Sequence, residues 1–365
     1  MSDQPLLKTP LHAKHVEAGG RMVPFAGYSM PVQYSGLTDE HLAVRRAVGL
    51  FDVSHMGEVF FEGERAAEVA DRIVTNNIGK QSPGQAVYSA MCRPDGGVID
   101  DLVAYKFSDQ KVMICVNAAN RAKDFEWMKA QAGADCDVTD RSDEYGQIAV
   151  QGPKAAELLA RLTDRDVSAI KTYRFIEGPI AGRSMIIART GYTGEDGFEL
   201  YCAAEDAADV WSALLEEGRT LGAVPAGLGA RDSLRLEYCF ALYGNDIDES
   251  TNPYEAGLGW VVKLKKGSGF VGRSALSRIK AEGPQRKLVP FELTGKGIAR
   301  QGHAVLIDGK EVGKVTSGTK TPSVGKAIGL AYLPTQKSEE GTLFQVDIRG
   351  KPVDAVVTSR PFLKK

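Results

Sequence analysis

Residues 86–107 read AVYSAMCRPDGGVIDDLVAYKF. Arg93-Pro94-Asp95-Gly96-Gly97 has the residue types of a tight turn, and the runs on either side, 86–92 and 98–107, read as strands. Strands joined by so short a turn run antiparallel, because a parallel pair needs a crossover of a dozen residues or more. The flanking segments extend the pattern. GEVFFEG (57–63) is a strand, 64–74 a helix, and Asp109-Gln110-Lys111 turns the chain into VMICVN, after which Asn117 caps a helix carrying Phe125, Trp127 and Met128. Residues 145–222 repeat the mixture, with strands at GQIAVQ, SMIIAR and GFELYC and helices at 155–162 and around Val210, Trp211, Leu214 and Leu215. An antiparallel meander with added helices is an α+β pattern, not regular βαβ winding.

Further out, Thr9-Pro10 opens a helix that Gly19-Gly20 stops, and Thr38 caps a second that runs through Leu42, Val44 and Ala47 to Gly49. Between them, RMVPFAGYSMPVQYSG (21–36) reads as an apolar loop packed against something. Past residue 285 helical periodicity disappears. KLVPFEL, AVLI, EVGKVTS, AIGLAYL, FQVDIRG and VDAVVTS follow as short strands, with Asp308-Gly309 as a hairpin turn. A C-terminal all-β barrel or sandwich is expected. The stretch 263–287 carries eight basic residues against one acid, Glu282, and marks the boundary. The expected organisation is residues 1–270 as two intertwined α+β domains and 285–365 as the barrel.

The chain has 365 residues, 43% hydrophobic and 25% charged, with a formal net charge of −2. That balance excludes disorder as the main state, and it lacks the basic surplus of a duplex-DNA binder. The five cysteines never form C-x-x-C, which argues against a disulfide framework and a zinc knuckle. No secretory signal and no membrane-length apolar run is present, so a cytoplasmic enzyme that enters no membrane is expected.

P-loop, dinucleotide-binding, zincin and nucleophile-elbow motifs are absent. The five histidines have no metal-ligand spacing; His12 and His15 share a helix face that reads as solvated. Carboxylates, tyrosines and an arginine remain. In 98–107, Asp101 alternates with Ile99, Val103 and Tyr105, and Asp100 with Val98, Leu102 and Ala104. Two acids on apolar strand faces are unfavourable unless paired or used, and structural bridging and function are about evenly weighted on this pattern alone. RTGYTGEDGFEL (189–200) places three glycines before Glu199, whose carboxylate can accept two N–H bonds from an amino-heterocycle edge; a tight hairpin with solvated acids is the plainer reading. Arg231 lies in the first turn of a helix, where the dipole disfavours a cation, and it answers either Asp232 or Glu237 or a bound carboxylate.

Taken together, FDVSHMGE (51–58), YSAMC, GGVIDDLVAY, CVNAANRAKD, QGPKA, RTGYTGEDGFEL, PAGLGARDSLRLE and NPYEAGLGWVVKL, in this order, strongly resemble the T-protein family of the glycine cleavage system. The resemblance runs from about residue 5 to about residue 362. It implies a multi-domain cloverleaf around a folate channel. It also implies transfer of the one-carbon unit from the aminomethyl-lipoyl arm of H-protein to tetrahydrofolate, releasing ammonia, with no metal and no nucleic acid. By motif, Asp101 is the catalytic aspartate, Glu199 holds the pterin edge and Arg231 anchors the folate. Met56, Tyr88, Asn117, Tyr173 and Trp260 line the channel. An acidic carrier would dock on the basic stretch 263–287. The alternatives are a related folate-dependent demethylase and a non-catalytic folate-binding factor of iron–sulfur assembly. The latter carries a cysteine motif that KKGSGFVGRS lacks.

Overall fold

The computed structural model describes residues 5–364. In chain order it contains α1 (His12–Glu17), β1 (Arg21–Phe25), β2 (Tyr28–Gln33), α2 (Leu37–Arg46), β3 (Val48–Asp52), β4 (Gly57–Glu62), α3 (Ala66–Ile73), β5 (Gln85–Cys92), β6 (Val98–Ser108) and β7 (Lys111–Val116). Next come α4 (Arg121–Ala132), β8 (Asp137–Asp140), β9 (Tyr145–Gln151), α5 (Ala155–Ala160), β10 (Phe175–Ile180), β11 (Arg183–Ala188) and β12 (Gly197–Ala203). Then follow α6 (Ala207–Gly218), β13 (Ala223–Pro225), α7 (Leu228–Glu237) and α8 (Arg273–Glu282). The last six strands are β14 (Arg286–Leu293), β15 (Ala304–Ile307), β16 (Lys310–Lys320), β17 (Ala327–Pro334), β18 (Leu343–Asp347) and β19 (Pro352–Val357). The fold is α+β with mainly antiparallel sheets.

The chain forms two compact units. The first comprises residues 1–70, 78–88 and 102–232; the second comprises 71–77, 89–101 and 233–365. One sheet has the order β10-β11-β12-β9-β3-β13, another β5-β6-β7-β4-β8, and β1 and β2 form a separate ribbon. In the first unit, α5 and α6 cover one face of the six-stranded sheet through Leu158, Leu159, Val210, Trp211 and Leu214 against Leu50, Val150 and Phe198.

In the second unit β14-β17-β16-β15-β18-β19 close into a barrel. Asp308 (φ 52°) and Gly309 (φ 73°) make the two-residue turn between β15 and β16 with both φ positive, the geometry whose twist matches a hairpin. Beside the barrel, the buried Arg235 guanidinium bonds the Asp246 carboxylate at 2.6 Å and Ser317 Oγ at 2.7 Å. Asp246 in turn accepts from Thr316, Ser317 and the Leu242 N–H.

Several local expectations are corrected. Residues 21–36 are not a loop: β1 and β2 pair across Ala26 (φ 48°) and Gly27 (φ 84°), and the prolines fit because a two-stranded ribbon leaves edge positions that need no donor. The cap of α2 is Gly36, not Thr38, and the Glu40 carboxylate accepts the backbone N–H groups of Tyr34 and Gly36. Gly49 does not end that helix; it lies within β3, where a Cβ would meet Val44 Cγ2 at 2.3 Å. Helix α1 starts at His12 with Leu11 as its cap, and the Thr9 hydroxyl donates to Asp52 instead. The histidine face of α1 is not solvated, since His15 is buried with Nε2 2.7 Å from Asp52 and Nδ1 2.8 Å from the Tyr34 hydroxyl.

Candidate functional site

In the first unit two sheets bring their side chains into one aromatic interior. Phe60, Tyr105, Met113 and Cys115 come from β4, β6 and β7; Phe175, Ile186, Ala188 and Tyr201 come from β10, β11 and β12. Glu199 shares the β12 face of Tyr201, two residues on, and so carries a carboxylate into apolar surroundings. The Thr190 hydroxyl donates to its Oε2 at 2.5 Å and the Gln147 amide to its Oε1 at 3.4 Å. The Tyr105 hydroxyl lies 2.9 Å from that of Tyr201 and 3.4 Å from Thr190 Oγ1. Burial pushes the Glu199 carboxyl above its ordinary value, against the Thr190 hydrogen bond and the nearby Arg231 charge. Partial desolvation raises the Tyr173 phenol to about 12, with the Glu199 charge adding to it.

The glycine-rich loop before Glu199 is folded around the Gln151 amide. Nε2 donates to the Thr190 carbonyl at 3.1 Å and the Phe198 carbonyl at 3.3 Å, while Oε1 accepts from the Thr193 hydroxyl at 2.8 Å. A Cβ at Gly191 or Gly197 would lie 2.1 or 2.5 Å from that amide, which is why glycine stands at both positions. Arg45 bonds the Thr193 carbonyl and the Glu195 carboxylate, and Arg189 bonds Asp196. The pinned loop presents the Tyr192 ring 4.6 Å from the Arg231 guanidinium. The Glu237 carboxylate accepts the N–H groups of Ser323 and Val324.

The turn after β3 adds polar groups that the sequence reading passed over. Asp52 accepts from Thr9, His15 and the Ser54 N–H. His55 is buried, its pKa is pushed down to about 4 chiefly by that burial, and its Nδ1 has no hydrogen-bond partner among the described residues. Met56 packs against the aromatic interior. Glu58, on β4, is buried as well.

The remaining sequence candidates fall as follows. Tyr88 lies on β5, Asn117 directly after β7, and both are half-buried. Tyr173 adopts φ 58° and is 39% exposed. These belong to the first unit with Met56, Glu199 and Arg231, whereas Asp101 and Trp260 belong to the second. Asp101 is half-buried and Asp100 entirely buried. Trp260 is 57% exposed. In the basic stretch, Lys266 is not a surface charge: it is buried, its ammonium donating to the Val74 and Asn76 carbonyls at 2.6 and 2.8 Å beside Asp71. Burial lowers its pKa to about 8. Among the described residues no group of three or more His, Cys, Asp or Glu side chains is arranged to hold a metal. An acceptor carboxylate among aromatic rings, with an arginine near it, fits a flat amino-substituted heterocycle bearing an anionic tail.

Residues 11–266 match the family model of the GCVT N-terminal domain, and residues 286–364 match the glycine cleavage T-protein C-terminal barrel domain. The chain belongs to the glycine cleavage T-protein family. It is 47% identical over 361 residues to an aminomethyltransferase of Bacillus subtilis, covering 99% of this chain and 100% of that one. It is 49% identical to an aminomethyltransferase of Bdellovibrio bacteriovorus over 98% of this chain and 99% of that one. The crystal structure of glycine cleavage system aminomethyltransferase T from Bartonella henselae is similar with a TM-score of 0.93 and 33% identity, covering 98% of both chains. No helix among the described residues is long and apolar enough to cross a membrane.

Proposed function

We propose that this protein is a tetrahydrofolate-dependent aminomethyltransferase acting on lipoyl-borne aminomethyl groups of H-protein. The one-carbon unit leaves the lipoyl sulfur and joins tetrahydrofolate; 5,10-methylenetetrahydrofolate, ammonia and the dihydrolipoyl carrier are formed. The observation that carries this reading is similarity along the whole chain to aminomethyltransferases, at 47% identity in one case. Folate supplies the amine nitrogens that accept the carbon; the chain's residues bind, orient and polarise.

In this reading Glu199 receives the amino and ring N–H edge of the pterin, which suits a half-buried carboxylate among rings, already oriented by Thr190. Arg231 receives an anionic group of the folate. Asp101 orients the accepting amine and stabilises the positive charge that grows as the C–S bond breaks, the role in which a fixed charge is most effective. Met56, Tyr88, Asn117, Tyr173 and Trp260 contact the folate or the arm. The exposed cations of the basic stretch, such as Lys265, Arg278 and Lys280, meet the carrier protein. The test is single-turnover conversion of aminomethylated H-protein with and without tetrahydrofolate. Methylenetetrahydrofolate formed from this donor supports the reading, and turnover of dimethylglycine, sarcosine or a sulfonium compound in its place overturns it.

A further inference from the structure

We propose that Glu58 is a second ligand-binding carboxyl group of this site, one that keeps its proton and donates it as a hydrogen bond to an acceptor atom of the one-carbon carrier lodged against Glu199. The inference rests on the reading of Glu199 given above and extends it to the opposite wall.

The strand register fixes where Glu58 lies. On β4 it pairs with Cys115 of β7, and Phe60 with Met113; on the next strand Cys115 pairs with Val103 and Met113 with Tyr105. Directly opposed residues share a sheet face. Glu58 therefore belongs to the row that builds the aromatic interior, beside Phe60, Val103, Tyr105, Met113 and Cys115. It is 1% exposed, and its Oε1 has no hydrogen-bond partner among the described residues. Native chains leave few buried polar atoms unmatched, and such an atom in the wall of a site is matched when the site is filled. Cys115, the cross-strand partner of Glu58, has its Sγ 3.9 Å from Gln147 Oε1, and the Gln147 amide donates to Glu199.

The charges around it decide its protonation. Burial opposes ionisation, and so do Asp140 on β8, Asp143 in the turn after it and Glu199 on β12. Arg121 on α4 favours ionisation, but it is engaged by Asp140 and Asp143, each at 2.8 Å. The Glu58 carboxyl consequently stands well above its ordinary value; burial raises Glu199 too, but its two oxygens already receive the Thr190 hydroxyl and the Gln147 amide, which marks it as the acceptor of the two. Two carboxyl groups in one interior thus offer opposite chemistry: an acceptor at Glu199 and an O–H donor at Glu58. A ring presenting N–H donors beside a carbonyl or ring-nitrogen acceptor satisfies both.

The experiment is anaerobic calorimetric titration of the full chain with tetrahydrofolate, combined with difference infrared spectroscopy. Glu58→Gln retains a neutral N–H donor of the same shape and is expected to bind within about threefold of wild type, while Glu58→Ala weakens binding about tenfold, the scale of one neutral hydrogen bond. The wild type should show a protonated-carboxyl C=O band that moves on adding tetrahydrofolate and is missing from Glu58→Gln. Unchanged affinity in Glu58→Ala overturns the proposal. So does a Glu58→Gln variant with native circular dichroism that binds as weakly as the alanine variant, or the absence of that band. Glu199→Ala separates the two readings. Normal binding there with loss at Glu58 removes the role given to Glu199, and loss there with normal binding in Glu58→Ala removes the role given to Glu58 alone.

Discussion

Both units bury charges that satisfy themselves, such as His15 with Asp52 in the first, but the first also keeps a buried histidine and a buried glutamate short of partners. Beside the barrel, Arg235 and Asp246 face each other at 2.6 Å with Ser317, Thr316 and a backbone N–H completing the set, and Lys266 is held by carbonyls next to Asp71. In the first unit, His55 and Glu58 each keep a buried atom without a partner among the described residues, and burial drives both toward their neutral forms. A buried pair that satisfies itself has nothing left to offer a ligand and acts as scaffold, whereas a group left short of partners is either a loss of stability or a binding element. The contrast sorts charges that hold the fold from groups proposed to meet substrate.

The largest expected effect is on the scaffold side. Asp246→Ala removes the carboxylate that faces the buried Arg235 guanidinium and should lower unfolding free energy by about 3–5 kcal/mol in urea titration. A change below about 1 kcal/mol would break the comparison. Asp101→Asn tests the functional side: turnover should fall about 100-fold or more, roughly 2.7 kcal/mol of barrier, with an unchanged melting temperature. Near-normal turnover would remove Asp101 from the chemistry, and loss in Asp100→Asn at native stability would transfer the role to its buried neighbour.

Glu199→Ala and Arg231→Ala should each weaken tetrahydrofolate binding by about 1.5–3 kcal/mol, the range for a hydrogen bond to a charged group. Unaltered affinity in both would locate the ligand elsewhere. A smaller effect sharpens the contrast through pH. The folded Glu58 carboxyl lies above its ordinary value of 4.5, so the unfolded chain releases this proton first as pH rises. The stability it contributes is present below that value and declines as pH climbs toward the folded one. Glu58→Gln should therefore melt higher than wild type at pH 8, with the difference closing near pH 4.5. The smallest effect belongs to the surface: Lys265→Glu with Lys280→Glu should raise the KM for H-protein at low salt and leave that for tetrahydrofolate unchanged, because exposed charges act over about 10 Å at 0.1 M ionic strength. Unaltered use of H-protein by this double variant would assign the stretch to the linker alone.

How much of this could be read in advance depended on whether a residue acts locally. The turn at 93–97, the alternation of 98–107, the six short strands after residue 285 and the Asp308-Gly309 hairpin were legible, because turn chemistry and period-two patterning are set by neighbours in sequence. The 21–36 segment reads as a loop since its prolines argue against a strand, and the edge positions of a two-stranded ribbon accommodate them. His15 reads as solvated because nothing in α1 reveals the approach of Asp52, 37 positions away.

The motifs marked Asp101, Glu199 and Arg231 as the residues to test, and the order of those motifs along the chain was enough to reach the family. What the sequence could not contain is which polar groups remain unmatched. In GEVFFE, Glu58 alternates with Phe60 and Glu62 on a face that reads as mixed and half-solvated; Glu62 does reach Arg141 and Lys111, whereas Glu58 is enclosed. Gln151 reads as an ordinary strand residue, although the glycine loop is folded around its amide. Burial, desolvation and partner supply depend on contacts tens of residues away in sequence, so those properties were decided by tertiary structure, while strand pattern, turn position and motif order were decided by the sequence itself.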